Sequence, residues 1–264
     1  TTNKINFLTE YCKDFKTLAK NIFNIINFTR PYTSTNKGRG ELLLQLLFGT
    51  EYSHATDVQI NKYFIEVKAY NGRLGNSNIT SSKMTRIFIN KLVENNIIDD
   101  IIETNESCFG GKREAGLRNS MAVFNNFWEN ISINNTVENT EIKIFKCYVE
   151  TILSKYNIDN LADEIIKKLN DKNPFIIENN KLRIIESQSV NFVDLTGFLY
   201  LIGYQFVEQF KYLIVFDDNF NYMGFDCNNI IEKYDIITKY IKFVLPGNKD
   251  DDKNIDNVAK VSLK

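Results

Sequence analysis

Apolar residues change their spacing along this chain, and each change marks an element. Ile5, Phe7, Leu8, Phe15, Leu18, Ile22, Phe23 and Ile26 recur at roughly helical intervals, which predicts one or two packing helices over residues 4 to 28. Arg30-Pro31 ends that region, because the residue before a proline is held out of the helical well. A polar stretch, residues 33 to 38, leads into Glu41–Phe48, a short and mostly apolar helix stopped by Gly49 and expected to be buried. From Asp57 the period becomes two: Val58 and Ile60 precede Asn61-Lys62, and Tyr63, Ile65, Val67 and Ala69 follow, so this segment reads as a β-hairpin. Helical spacing returns over residues 81 to 104, 118 to 128 and 141 to 169, with the Asn-rich stretch 129 to 140 as a linker. The remainder predicts a second hairpin around Glu178-Asn179-Asn180-Lys181, an apolar helix over about 191 to 210, and a third hairpin around Asp217-Asp218-Asn219. A charged tail follows Pro246, and no internal repeat is visible.

These elements suggest an N-terminal helical segment at 1–30, a core at 31–128, and an α/β region at 141–245 that either completes the core or forms a recognition or dimerisation lobe. Residues 246–264 form the tail. With 264 residues, 43% of them hydrophobic, there is material for a full core. The four cysteines stand far apart with no C-x-x-C pair, which excludes a zinc ribbon and suits reduced thiols in a cytoplasm. No run of 18 apolar residues and no basic-apolar leader is seen, so no membrane partner is expected. The net charge of −1 gives no global field for nucleic acid, and any such site must be a local basic patch.

The first hairpin carries the candidate chemistry. If it turns on Asn61-Lys62, Ile60 faces Tyr63, Gln59 faces Phe64, and Asp57 lies opposite Glu66. Alternation then places Asp57, Gln59, Phe64, Glu66 and Lys68 on one face, and Val58, Ile60, Ile65, Val67 and Ala69 on the other. Like charges facing each other across strands repel unless a cation lies between them or one acid is protonated. A hard divalent cation, Mg²⁺ with Mn²⁺ as substitute, is suited to Asp57, Glu66 and a strand carbonyl, that of Val67. Lys68 would emerge beside it, placed to orient or help deprotonate an attacking water or to balance charge on a phosphate. The other use of the same residues is a solvated hairpin face with a salt bridge.

An acid, a short gap and Glu-x-Lys on the next strand resemble the signature of the PD-(D/E)xK nuclease superfamily. More narrowly, Gly38-Arg39-Gly40-Glu41, Asp57, Glu66-Val67-Lys68 and Gly72-Arg73-Leu74-Gly75 are similar to a pattern in small nuclease-like proteins of tailed bacteriophages. Thr56 stands where the family has proline. The resemblance covers Lys37 to Gly75 alone. It implies an α+β fold with a restriction-endonuclease-like core, a mixed sheet flanked by helices in αβββαβ order, with Glu41 as a further acid from the preceding helix. It also implies a Mg²⁺-dependent endonuclease that hydrolyses DNA, double-stranded DNA being favoured over RNA, in a bacterial host cytoplasm or in association with a virion. Self-association as a homodimer is left open. The competing class is a non-catalytic nucleic-acid-binding or virion-associated structural protein with the same fold.

Acid-x-Lys alone discriminates poorly, since Asp14-Phe15-Lys16, Glu141-Ile142-Lys143 and Asp251-Asp252-Lys253 share it. Only the set from Asp57 to Lys68 has helix, partner acid and turn in order. Lys37, Arg39 and Arg73 flank it in glycine-containing segments and are candidate phosphate contacts. His54 is the sole histidine, which rules out H-E-x-x-H metalloproteases and HNH nucleases. Gly110-Gly111-Lys112-Arg113 lacks the spacing of a phosphate loop. Tyr200, Tyr204, Phe206 and Phe210 form a helical stripe, read as core and not as a stacking platform.

Overall fold

The computed structural model describes residues 15–29, 39–48, 57–60, 62–69, 72–75, 81–99, 121–134, 138–187, 190–245 and 259–264. It is mixed α and β. In chain order the helices are α1 (Phe15–Thr29), α2 (Arg39–Phe48), α3 (Ser81–Glu94), α4 (Met121–Trp128), α5 (Thr140–Ser154), α6 (Ala162–Leu169), α7 (Phe192–Glu208) and α8 (Tyr234–Tyr240). The strands are β1 (Val58–Ile60), β2 (Tyr63–Lys68), β3 (Gly72–Arg73), β4 (Phe175–Glu178), β5 (Lys181–Ile184), β6 (Tyr212–Phe216), β7 (Tyr222–Asp226), β8 (Ile241–Val244) and β9 (Lys260–Leu263). No helix among the described residues is long and apolar enough to cross a membrane.

Two compact units emerge, each discontinuous in sequence, where the sequence reading laid out contiguous segments. The first gathers the described residues up to Gly72 with Gln205–Lys242 and Val261–Lys264; the second gathers Arg73–Tyr204 with Phe243–Lys260. The divisions fall inside β3, α7, β8 and β9.

The first unit is built on a four-stranded sheet of order β1-β2-β6-β7. β1 and β2 form the expected hairpin in the expected register, Gln59 facing Phe64 and Ile60 facing Tyr63. β6 runs parallel to β2, with Glu66 beside Leu213 and Lys68 beside Val215, and β7 returns antiparallel to β6. Period-two alternation turns Val58, Ile65, Val67 and Phe216 to one face, where they meet Ala19, Phe23, Leu43 and Leu47 from α1 and α2. Phe23 anchors this core, its ring 5.6 Å from Phe216 and 5.4 Å from Phe220. Burying side chains of this size contributes roughly 1.5–3 kcal/mol each. Gly40, in the first turn of α2, is in close approach: a Cβ there would lie 2.7 Å from Val67 Cγ1 and 2.8 Å from the Phe216 ring.

The second unit packs α3 to α6, the first part of α7 and the β4–β5 hairpin around aromatic side chains. Phe88 meets Trp128 and Tyr148 edge to face at 5.5 and 5.7 Å. The hairpin turns on Asn179 and Asn180, both at positive φ, as a two-residue turn between right-twisted strands requires.

Three expectations change. The helix over 141 to 169 is two helices, parted where Asn157 takes a left-handed conformation. The stretch read as a linker contains Ile133, buried, and Ser132, which bridges to Lys181. The end of the charged tail is strand β9; residues 246 to 258 lie outside the described residues, as do 4 to 14 of the N-terminal helical reading.

Gly40→Ala is expected to lower stability by about 1–3 kcal/mol through overpacking against Val67 and Phe216. That exceeds the gain of at most ~1 kcal/mol in helix propensity. A urea midpoint that stays level or rises would contradict the close approach.

Candidate functional site

β2 assembles the site because it is flanked on both sides, by β1 and by β6. Glu66 and Lys68, two residues apart, point to the same face, and Lys68 Nζ lies 2.5 Å from Glu66 Oε1. Glu66 is only 1% exposed, whereas Gln59 on the same face is exposed. Asp57 immediately precedes β1; extending the observed register by one residue sets it opposite Glu66. Its carboxylate bends onto the strand, and the Val67 N–H donates to Asp57 Oδ2 at 2.9 Å.

Two further acids belong to this group. Glu41 sits in the first turn of α2, buried, and its charge acts on Asp57. Glu208 is the last residue of α7 and is coupled electrostatically to Glu66 and Lys68. Its place is fixed by the chain that follows: the Lys211 N–H donates to the Phe64 carbonyl at 2.9 Å, pinning the start of β6 to β2. Sequence reasoning missed Glu208. Its signal was an acid in the last turn of a helix, where the negative end of the macrodipole disfavours it.

Four acids around one lysine leave a surplus of negative charge. Asp57 is pushed up to about 7, first by burial and then by the Glu66 carboxylate, with Glu41 adding and Lys68 and the Val67 N–H opposing. Glu208 is also raised, first by burial and then by Glu66, with Lys68 opposing. Asp57 therefore carries much of the electrostatic strain.

The donor set is suited to a hard cation: carboxylate oxygens, crowded enough that a positive charge between them relieves their repulsion. With the side chains as they stand, no three acidic, Cys or His residues among the described residues converge on a point that could hold an ion. Lys68 engages Glu66, and the Val67 N–H engages Asp57. Val67 thus meets Asp57 through its amide, where the sequence suggested a role for its carbonyl.

Of the expected phosphate contacts, Lys37 lies outside the described residues, as do His54 and Gly110-Gly111-Lys112-Arg113. Arg39 opens α2. Arg73 is exposed in β3 and belongs to the second unit, whereas the acids belong to the first. Tyr200, Tyr204 and Phe210 are buried as core, while Phe206 is exposed.

The raised Asp57 has a measurable consequence. Between the ordinary carboxylate value of 3.8 and about 7, the folded chain holds a proton on Asp57 that the unfolded chain has lost. Stability without divalent ions should therefore fall as pH rises through this window, by about 4 kcal/mol in all and about 3 kcal/mol between pH 5 and pH 8. Denaturation in EDTA at pH 5 and pH 8 should show this fall, and Asp57→Asn should flatten it. An equal slope in the variant would place the strain elsewhere.

Comparison with models of protein families, with curated proteins and with solved structures finds no match to the chain, so the functional reading rests on the geometry above and on the motif resemblance.

Proposed function

We propose that this chain is a divalent-cation-dependent nuclease of the PD-(D/E)xK type that hydrolyses phosphodiester bonds in DNA. The observation that carries the reading is Glu66, almost fully buried and paired with Lys68, beside an Asp57 whose acidity is shifted to about 7. Burying an acid next to another acid costs stability, and such costs concentrate where chemistry needs them.

The topology supports the reading. α2, β1 and β2 are followed, after a long excursion, by the end of α7 and by β6, which lies parallel beside β2. This suits the helix-flanked mixed sheet that the resemblance implies. One departure stands: β3 is two residues long and is not a strand of the four-stranded sheet.

In this reading Asp57 and Glu66 hold the cation, with Glu41 behind Asp57 adding negative charge. Mg²⁺ or Mn²⁺, when bound, would supply Lewis acidity and a water acidified enough to attack at neutral pH. Lys68 stands beside Glu66, where its side chain can balance the charge that develops on a phosphate in the transition state. Burial of the group keeps the local dielectric low and strengthens each of these interactions.

A second reading has one observation in its favour, the direct pairing of Lys68 with Glu66. In it the fold serves as a nucleic-acid-binding or virion-associated structural module, and Glu66–Lys68 is an internal ion pair.

Supercoiled and linear DNA incubated with Mg²⁺ or Mn²⁺ separates the two. The unaltered chain should cleave, and Glu66→Gln and Lys68→Ala should each lose about 10²-fold or more in rate. Unchanged cleavage in both variants rejects the site. Binding of DNA or RNA without cleavage of either selects the structural module.

A further inference from the structure

The four-stranded sheet ends on β7, whose far side is covered by no strand among the described residues. The ladder to β6 decides which backbone groups face that open side. The Asp217 N–H donates to the Asn221 carbonyl at 2.9 Å and the Cys227 N–H to the Lys211 carbonyl at 2.8 Å. The hydrogen-bonded pairs of this register are therefore the odd-numbered ones, Val215 with Met223 and Leu213 with Phe225. Met223 and Phe225 direct their N–H and C=O groups to β6, and Tyr222, Gly224 and Asp226 turn theirs outward. Among the described residues no hydrogen bond takes up these outward groups. All three residues are exposed, Tyr222 at 58%.

Open strand edges are commonly blunted by lysine, proline or a bulge. β7 has none of these: Tyr222–Asp226 contains neither residue and pairs with β6 in an unbroken register. At its centre stands a glycine instead. Glycine weakens a strand, and inside one it often marks a bulge or the close approach of another backbone. Nothing within the chain requires Gly224, since its φ is not positive and a Cβ there would meet nothing within 4 Å. Gly40, by contrast, is hemmed in by Val67 and Phe216.

We propose that β7 pairs with β7 of a second copy of this chain, antiparallel and two-fold symmetric about Gly224. In this register the strand matches itself over its full length. Tyr222 faces the partner's Asp226 and Gly224 faces the partner's Gly224, so outward residues meet outward residues, as an exchange of paired hydrogen bonds requires. A residue on the axis meets its own copy, and glycine brings neither bulk nor charge against itself. Asp226 is the only charge in the strand, and it faces a tyrosine and not a second carboxylate. Its Oδ1 is held toward its own turn, accepting from the backbone and side-chain nitrogens of Asn228 at 2.9 and 2.7 Å. On the other face Met223 comes opposite the partner's Phe225, a favourable pairing of thioether and ring. The axis is normal to the sheet, so the two four-stranded sheets join into one whose same face carries Glu66 and Lys68 of both copies. This pairing is independent of what the acid group does.

A single edge strand is a small interface, so the dimer is expected to be weak and to depend on concentration. Sedimentation of the full chain up to about 100 μM should show monomer and dimer in equilibrium. Residue-resolved amide exchange on the unaltered chain reads the register. Met223 and Phe225 should be protected at every concentration, and Tyr222, Gly224 and Asp226 only as the dimer forms. Gly224→Pro removes an outward donor and leaves the β6 ladder whole. Gly224→Lys sets two ammonium groups against each other across the axis. Each should weaken the dimer about tenfold or more. If the proline chain does not melt cooperatively, the lysine chain, substituted in open space, serves in its place. A monomer at every concentration, outward amides whose exchange ignores concentration, or a dimer indifferent to these substitutions overturns the pairing.

Discussion

Glu66 is a carboxylate taken out of water on a strand with neighbours on both sides, and the rest of the first unit answers that one placement. Removing a charge from solvent costs several kcal/mol even after relaxation, and the cost is met only by close opposite charge and hydrogen bonds. Lys68 supplies the opposite charge from the same strand. Asp57 receives the Val67 N–H and the more distant charge of Lys68, which burial and the Glu66 and Glu41 carboxylates outweigh. The strand withstands this because its opposite face is held by Val58, Ile65, Val67 and Phe216 against α1 and α2. One face of β2 stores electrostatic cost, and the other supplies the hydrophobic anchorage that offsets it.

The hairpin was legible in the sequence because its two signals agree: period-two alternation on both strands and a two-residue polar turn. Together they leave one register, and that register brings Asp57 to Glu66. What could not be read was the burial of that face. A row of Asp, Gln, Glu and Lys looks solvated when the only known neighbour is the other half of the hairpin, but β6 covers the inner side and α7 delivers Glu208 close by, from residues far along the chain. The helix breaks were hidden for a different reason. Asparagine tolerates the left-handed conformation, and in a chain so rich in it no single Asn announces that Asn96, Asn139 or Asn157 will adopt it. The glycine of Gly38-Arg39-Gly40-Glu41 that the family pattern highlights also has a plain packing role, since Gly40 lets α2 close on Val67 and so brings Glu41 near Asp57.

The two faces of β2 differ in kind. Glu66 and Lys68 lie on one, Ile65 and Val67 on the other, and the ladder to β6 ties them together. A change that slipped this strand by one residue would exchange the faces, turning Glu66 and Lys68 into the core formed with α1 and α2. Register is therefore under two independent constraints, hydrophobic on one side and electrostatic on the other.

The parallel pairing of β2 with β6 joins residues 65–68 to 212–215. During synthesis the ribosome must deliver the intervening residues before the acid-bearing strand can gain its inner neighbour, and contacts spanning so much chain form late. A nascent chain thus carries Asp57, Glu66 and Lys68 for a long interval on the hairpin, α1 and α2 alone. Completion of the group is therefore timed by translation through β6.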